Sequence, residues 1–240
     1  FDRQYYMIII LNKIISLCKS KNVSTTLLAD ALNKTGLIPH VYPLYEDSYK
    51  VGKIKCIFAS NISNYCLHDQ ISSTSRGDIV VIFTHNCDGR ALLGELVAKY
   101  LIEVNNVEAI VVHGAVRDVE MLTKHNYPIW CNDRTPIGCI NEFSGNFPEK
   151  LRKELYDKYE GAVAICDPSG VIAIPKNLKI SDIVKEIHKI LDKEEVWFYC
   201  LTELKLNTFQ IICQKEYLTL YDSLPTYIQK KIDNFSEGLR

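Results

Sequence analysis

Charge of one sign is missing from this sequence: 28 Lys and Arg stand against 29 Asp and Glu over 240 residues. Without a basic excess there is no general field to hold a phosphate backbone or an anionic bilayer, which argues against nucleic acid as a direct ligand and against a membrane surface. Paired cysteines are missing too. The nine present (Cys18, Cys56, Cys66, Cys87, Cys131, Cys139, Cys166, Cys200 and Cys213) are odd in number, scattered and never in a C-x-x-C pair. That pattern argues against a zinc knot or a disulfide framework and fits reduced thiols in a cytoplasm. The longest N-terminal apolar run, YYMIIIL, is too short to span a bilayer and has neither a basic leader nor a small-residue cleavage site. The chain starts at Phe1 rather than Met, which leaves room for a segment upstream. G-x-G-x-x-G is absent and no P-loop lysine follows any glycine-rich turn, so neither nucleotide-phosphate fingerprint is available.

What the sequence does hold is enough apolar material for a large core, 47% of all residues. Apolar positions at Ile8, Leu11, Ile15 and Cys18 predict a first helix, and VSTTLLADALNKTG predicts a second, capped by Ser24 or Thr25 and stopped at Gly36. GKIKCIFAS, GDIVVIFT and VEAIVVHG read as strands. The loop HNCDGRALLGE leads into a helix whose expected stripe is Leu96, Ala98 or Tyr100, Leu101 and Val104, and VRDVEMLTKHN into another. Such alternation argues for an α/β fold. Further on, FPEKLRKELYDKYEG is helical, AVAICDPSGVIAIP a hairpin and ISDIVKEIHKILDKEE an amphipathic helix. Residues 1–21 are thus expected as an N-terminal helical segment and 22–195 as the α/β domain. Residues 196–240 are expected as an aromatic-rich extension packed on it, with Trp197, Phe198, Tyr199, Phe209, Tyr217 and Tyr221 buried on the domain or on a neighbour.

The stretch HGAVRD, residues 113–118, follows a buried strand with two small residues and then sets a guanidinium beside a carboxylate. Just past a strand's end, Arg117 and Asp118 can both reach a site at the carboxyl edge of the sheet, and Gly114 and Ala115 let another group come close to the backbone. A carboxylate is a hard oxygen ligand for Mg²⁺ or Mn²⁺ and a fixed guanidinium can stabilise an oxyanion, so the pair suits an enolate held on a metal. An ordinary helix cap or surface ion pair is the alternative. GRALLGELVAKY puts Gly94 and Glu95 at a helix start, where free N–H groups attract a carboxylate. Alone, it also reads as a plain helix N-terminus with an acidic first turn. Lys99 and Lys124 read as solvated helix residues and His113 as a packed histidine. Asn132, Asp133 and Arg134 either line a cleft or form a turn, and Asp88 and Arg90 brace the loop that follows them.

ALLGELVA, then GAVRDVEML with twenty-one residues between Glu95 and Arg117, resembles the family of the regulator of ribonuclease activity A and the 4-hydroxy-4-methyl-2-oxoglutarate aldolases. STTLLADAL (24–32), RGDIVVI (76–82), YPIWCNDRTPIG (127–138) and CDPSGVIAIP (166–175) extend the resemblance over residues 22–193. It implies a swivelling β/β/α domain, assembled as a homotrimer or a hexamer of paired trimers with clefts between subunits. It also implies a divalent metal, Mg²⁺ or Mn²⁺, on Asp118, a substrate-binding Arg117, and a loop Gly94, Glu95, Leu96 and Val97 whose amides hold a pyruvate carboxylate. Metal and Arg117 would stabilise the enolate left by carbon–carbon cleavage of a small 2-oxo acid or by decarboxylation of oxaloacetate, and Glu95 would orient a metal-bound water as base.

The sequence departs from the family's pattern in three ways. The aldolases show an Asp with twenty intervening residues where this chain has Glu95 with twenty-one, so one residue is expected to be inserted near Asn105 and Asn106. Valine-rich strands ending in a Pro-Gly-Asp turn are replaced by FPEKLRKELYDKYE. A third acidic residue, contributed by a neighbouring subunit in the aldolases, has no counterpart. The other branch of the family implies a non-catalytic regulator that binds a ribonuclease, but its founding sequence lacks the Asp of the Arg-Asp pair. A methyltransferase reading finds no glycine-rich nucleoside loop after the first strand.

Overall fold

A computed structural model describes residues 2–46 and 48–236, with the backbone alone for 2–8 and 10, so the Ile8 side chain lies outside the described residues. Helices α1 (Asp2–Lys21) and α2 (Thr25–Ala31) precede two short strands, β1 (Leu37–Ile38) and β2 (Tyr42–Pro43), and the long β3 (Lys50–Ser60). Then come α3 (Tyr65–Gln70), β4 (Asp78–His85), β5 (Ala91–Leu93), α4 (Glu95–Lys99), β6 (Ala109–Val116), α5 (Val119–Lys124) and β7 (Ile129–Arg134). The remainder is α6 (Glu149–Tyr159), the hairpin β8 (Val163–Asp167) and β9 (Gly170–Ala173), α7 (Ile180–Thr202) and α8 (Thr226–Phe235). One mixed sheet runs β1-β9-β8-β3-β4-β6-β7-β2, with β5 added beside β6; β3, β4, β6 and β7 are parallel, and the outer strands join antiparallel.

Alternation at period two sends successive side chains of each central strand to opposite faces, and both faces are apolar because both are covered. Val80, Ile82, Ile110 and Val112 meet Leu67 of α3, Val97 of α4 and Leu122 of α5. Ile79, Val81, Ala109 and Val111 face the other way, onto Tyr159 of α6 and the hairpin residues Ala164 and Cys166. The hairpin in turn gives Val163, Ile165 and Ile172 to a third cluster with Ile14, Leu28, Ile183 and Ile187 from α1, α2 and α7. The Asp167 carboxylate fixes this corner. It accepts the Thr25 N–H and hydroxyl, both at 2.7 Å, and the Ser169 N–H at 2.8 Å, while Ser24 Oγ caps α2 by accepting the Leu27 N–H. That helix stops at Ala31, before Gly36, because Asn33 and Lys34 already take left-handed backbone.

Two expectations change. The loop after β4 contains the short strand β5, which pairs with β6. The helix at Glu95 buries Val97, Ala98 and Leu101, whereas Leu96 is 81% and Val104 62% exposed. Tyr100–Val104 forms a wide π turn, closed by Asn105 N–H donating to Tyr100 O at 3.0 Å.

The C-terminal extension has a packing of its own. Helix α7 runs unbroken through residue 196, and the segment beyond it packs on that helix, not on the sheet. Val196 and Cys200 of α7 join Ile211, Tyr217, Leu224, Ile228 and Ile232 in a separate small core. Lys231 ties α8 to Asp192 (3.0 Å) and Glu195 (2.7 Å). Tyr217 is buried in this small core, and Phe198 and Phe209 are 64% and 60% exposed in the single chain.

Two cores on one helix separate experimentally. Ile187→Ala and Ile228→Ala each delete a fully buried side chain and are expected to cost about 2–5 kcal/mol locally. By hydrogen exchange, Ile228→Ala should raise exchange in residues 203–236 while leaving β4 and β6 protected. Equal deprotection of the sheet by both substitutions would show a single core.

Candidate functional site

At the carboxyl end of β6 the backbone reverses sharply. Arg117 N–H still donates to Leu93 O of β5 (2.9 Å), but Asp118 takes the left-handed conformation, φ 57° and ψ 33°. An aspartate tolerates that region better than most residues. The Asp118 carbonyl then starts α5 by accepting the N–H groups of Met121 and Leu122, each at 3.0 Å. Its carboxylate does not cap α5. It turns back across the site and accepts the Glu95 N–H at 3.0 Å, capping α4 instead. This reversal is why two adjacent side chains converge, with Arg117 Nε 3.8 Å from Asp118 Oδ2.

Two glycines hold the guanidinium. A Cβ on Gly94 would lie 2.4 Å from Asp118 Oδ2 and 3.1 Å from Arg117 Nε, and one on Gly138 would lie 2.6 Å from Arg117 Nη1. Arg117 therefore passes through a slot in which a side chain at either position would push Asp118 or the guanidinium aside. Gly138 belongs to an extended strap, residues 137–145, laid across the carboxyl edge. Ala91 N–H donates to Ile137 O (2.8 Å), Cys139 N–H to Ala91 O (3.1 Å), Ile140 N–H to Ile62 O (2.9 Å) and Asn64 N–H to Ile140 O (3.0 Å). Arg90 Nη1 braces the strap by donating to Gly138 O at 3.4 Å.

Between α4, the strap and α3 lies a cavity of about 240 Å³ lined by Gly94, Leu96, Val97, Arg117 and Asp118, together with Asn64, His68, Gly138, Cys139 and Asn141. Five of the six residues singled out from the sequence thus share one wall. The sixth, Glu95, contributes its N–H to Asp118 and has its carboxylate 3.4 Å from His125 Nε2. The first intrahelical bond of α4 is Ala98 N–H to Gly94 O (3.1 Å), so the Leu96 and Val97 N–H groups precede it. Sequence reasoning missed the opposite wall, although Asn64 and His68 at i and i+4 share one face of a helical turn.

Other candidates lie elsewhere. Asn132, Asp133 and Arg134 end strand β7 instead of forming a turn and do not line the cavity; nor do Lys99, paired with Glu103 at 3.8 Å, and Lys124. His113 packs beside Phe83, and burial lowers its pKa. The groups that come close to Gly114 are the side chains of Thr84 and Leu92. Asp118 is the one carboxylate in the cavity wall, and no cluster of three or more His, Cys, Asp and Glu able to hold a metal occurs among the described residues.

Residues 25–173 match the RraA-like family, described as Aldolase/RraA. A protein of Halalkalibacterium halodurans, named "Putative 4-hydroxy-4-methyl-2-oxoglutarate aldolase", is 26% identical over 175 residues, covering 72% of this chain and 83% of its own length. Among solved structures, an uncharacterised protein from Pseudomonas syringae pv. tomato superposes with a TM-score of 0.64 at 17% identity, over 80% of this chain and 89% of that one. Streptomyces coelicolor RraAS2, described as an unusual member of the RNase ES inhibitor RraA protein family, gives 0.58 at 17% identity, over 76% and 93%. At these identities the two structures share the fold, and the α/β domain expected from the sequence, with extra C-terminal helices, stands.

The slot makes a sharp test. Gly94→Ala forces Asp118 off the α4 N-terminus, and an expected loss of about 0.5–2 kcal/mol in denaturant unfolding corresponds to one helix cap. A crystal structure of Gly138→Ala should show the Arg117 guanidinium displaced. Both variants matching wild type in stability and in side-chain positions would mean that the slot is not tight.

Proposed function

The chain belongs to the RraA-like family, and from that membership we propose that it is a lyase requiring Mg²⁺ or Mn²⁺. It would release pyruvate from a small 2-oxo acid, either a 4-hydroxy-2-oxo acid of the 4-hydroxy-4-methyl-2-oxoglutarate type or oxaloacetate. The relatives' aldolase name supports the reaction class. The observation that carries the reading is the convergence of Arg117 and Asp118 on the α4 N-terminus inside one cavity.

A single carboxylate fits a hard cation of the Mg²⁺ kind, which takes one or two protein carboxylates and fills its shell with water and substrate oxygens. When bound, the cation supplies positive charge for the oxygens of the 2-oxo acid. The rest of the chemistry rests on the chain's own groups. The Leu96 and Val97 N–H groups, at the positive end of α4, receive the substrate carboxylate. Arg117, held in its slot, donates to the oxygen on which negative charge accumulates as the carbon–carbon bond breaks. Glu95 is assigned the handling of the hydroxyl proton, with His125 beside its carboxylate as the next group along.

With one acidic side chain in the wall, a neighbouring subunit is assigned the rest of the cleft, in a homotrimer or hexamer. Light scattering is expected to give that mass at micromolar concentration; a stable monomer with full turnover would remove the shared cleft. Pyruvate release from a panel of 4-hydroxy-2-oxo acids and oxaloacetate should require Mg²⁺ or Mn²⁺ and stop with EDTA. Asp118→Asn keeps an oxygen for the Glu95 N–H but loses the charge, so turnover should fall by about 10²-fold or more while the melting temperature moves little. Arg117→Lys should lower kcat, because the planar fork is lost. Absence of pyruvate from wild type with every acid tested would turn the reading to the non-catalytic branch, a regulator that binds a ribonuclease.

A further inference from the structure

At the amino end of β3, on the edge of the sheet away from the candidate site, the chain encloses a second cavity of about 370 Å³. It shares no wall residue with the first. Among the described residues its floor holds Val163 and Ile174, and its walls are Leu11 of α1 with Pro175, Leu178 and Ile180 from the chain leaving β9.

The backbone of the floor has its hydrogen bonds already. Gly161 N–H donates to Ile54 O (2.9 Å), Ile54 N–H to Ala162 O (2.7 Å) and Ile174 N–H to Val163 O (2.8 Å). What remains to meet a ligand is hydrocarbon. Leu11, Pro175 and Ile180 are half-buried and Leu178 is 41% exposed, so apolar surface in the cavity is left to water. Gly161 also lines it, and a Cβ there would meet nothing within 4 Å, so the space beside the floor is open.

Three ionisable side chains complete the lining: Glu160, Lys53 and Lys176. Glu160 is committed to the protein, its Oε2 accepting the Cys56 N–H at 2.7 Å and its Oε1 the Lys55 ammonium at 3.5 Å. Lys53 has Asp78 no nearer than 3.9 Å, and Asp78 already accepts the Ser75 N–H at 2.8 Å. Lys176 is exposed and pairs with no carboxylate among the described residues. The cavity is therefore apolar inside, with two ammonium groups whose charge the protein leaves wholly or largely unmatched.

We propose that this cavity binds the anion of an unbranched, medium-chain carboxylic acid, with the alkyl chain along Val163, Ile174 and Leu178 and the carboxylate at Lys176 and Lys53. The alkyl chain and the walls both lose water on contact, which drives binding. The carboxylate stays at the wet rim, where a lysine meets it without the cost of burying either charge. A stable protein interface takes about 800 Å² from each partner, whereas a recess of this size encloses a single small molecule. Binding here stands apart from the lyase reading, since the two cavities share no residue.

The test titrates the intact protein with hexanoate, octanoate and decanoate, below their micelle concentrations, by calorimetry and by equilibrium dialysis. Affinity is expected to rise by about 10-fold for each two methylenes added. Decylammonium, with the same tail length and the opposite charge, should bind about 10-fold more weakly than decanoate, and Lys176→Glu should close that gap. Leu178→Asp, at an exposed position, should remove decanoate binding while the melting temperature holds, and excess pyruvate should leave the wild-type titration unchanged. No binding of any chain length, or equal affinity for decanoate and decylammonium, would overturn the proposal. Decanoate that is displaced by pyruvate, or that still binds both variants as it binds wild type, would place the ligand elsewhere and overturn it as well.

Discussion

The hydrogen bond from the Glu95 N–H to the Asp118 carboxylate organises the carboxyl edge of the sheet. It joins the end of β6 to the start of α4 across a residue in left-handed backbone, so one side chain sets both the chain reversal and the helix entry. Helix N-terminal amides need an acceptor, and a carboxylate is the one that also answers the helix dipole. Because Asp118 occupies the first amide, Leu96 and Val97 are left to face the cavity. Because its Oδ2 lies where a Gly94 Cβ would point, a side chain at position 94 would displace the carboxylate. The guanidinium of Arg117 then has one course, between Gly94 and the strap.

Much of this was legible in the sequence for physical reasons. The buried strands announce themselves because both sheet faces are covered, which produces continuous apolar runs such as DIVVIF and EAIVV. Turn residues bracket them, and the two helix starts follow small or acidic residues. Five of the six site residues named from the sequence share the cavity wall, since each sits at a strand end or a helix start on the same edge.

The parts that were not legible depend on long-range geometry. Strand β5 has only three residues and is defined by its pairing with Ala115 and Val116 of β6. The π turn at Tyr100–Val104 shifts the helical period by one residue, so a stripe drawn at constant spacing assigned Val104 to the core when solvent has it. The strap carries no periodic signal because its hydrogen bonds go to Ile62, Asn64 and Ala91, far away in sequence. Glu95 shows a finer limit: sequence places its backbone at the site but cannot say that its carboxylate meets His125.

Helix α7 gives its first half, through Ile183 and Ile187, to one core and its second half, through Val196 and Cys200, to another. A helix shared in this way acts as a protractor as well as a spacer. Each residue of an unbroken α-helix advances about 1.5 Å and turns about 100°, so the number of residues between Ile187 and Val196 fixes the direction in which the C-terminal unit looks. Adding or removing one residue there would leave both cores intact and swing the exposed face of Phe198 and Phe209 around by roughly a quarter turn. The orientation of that face is thus written in a residue count rather than in any contact the face itself makes.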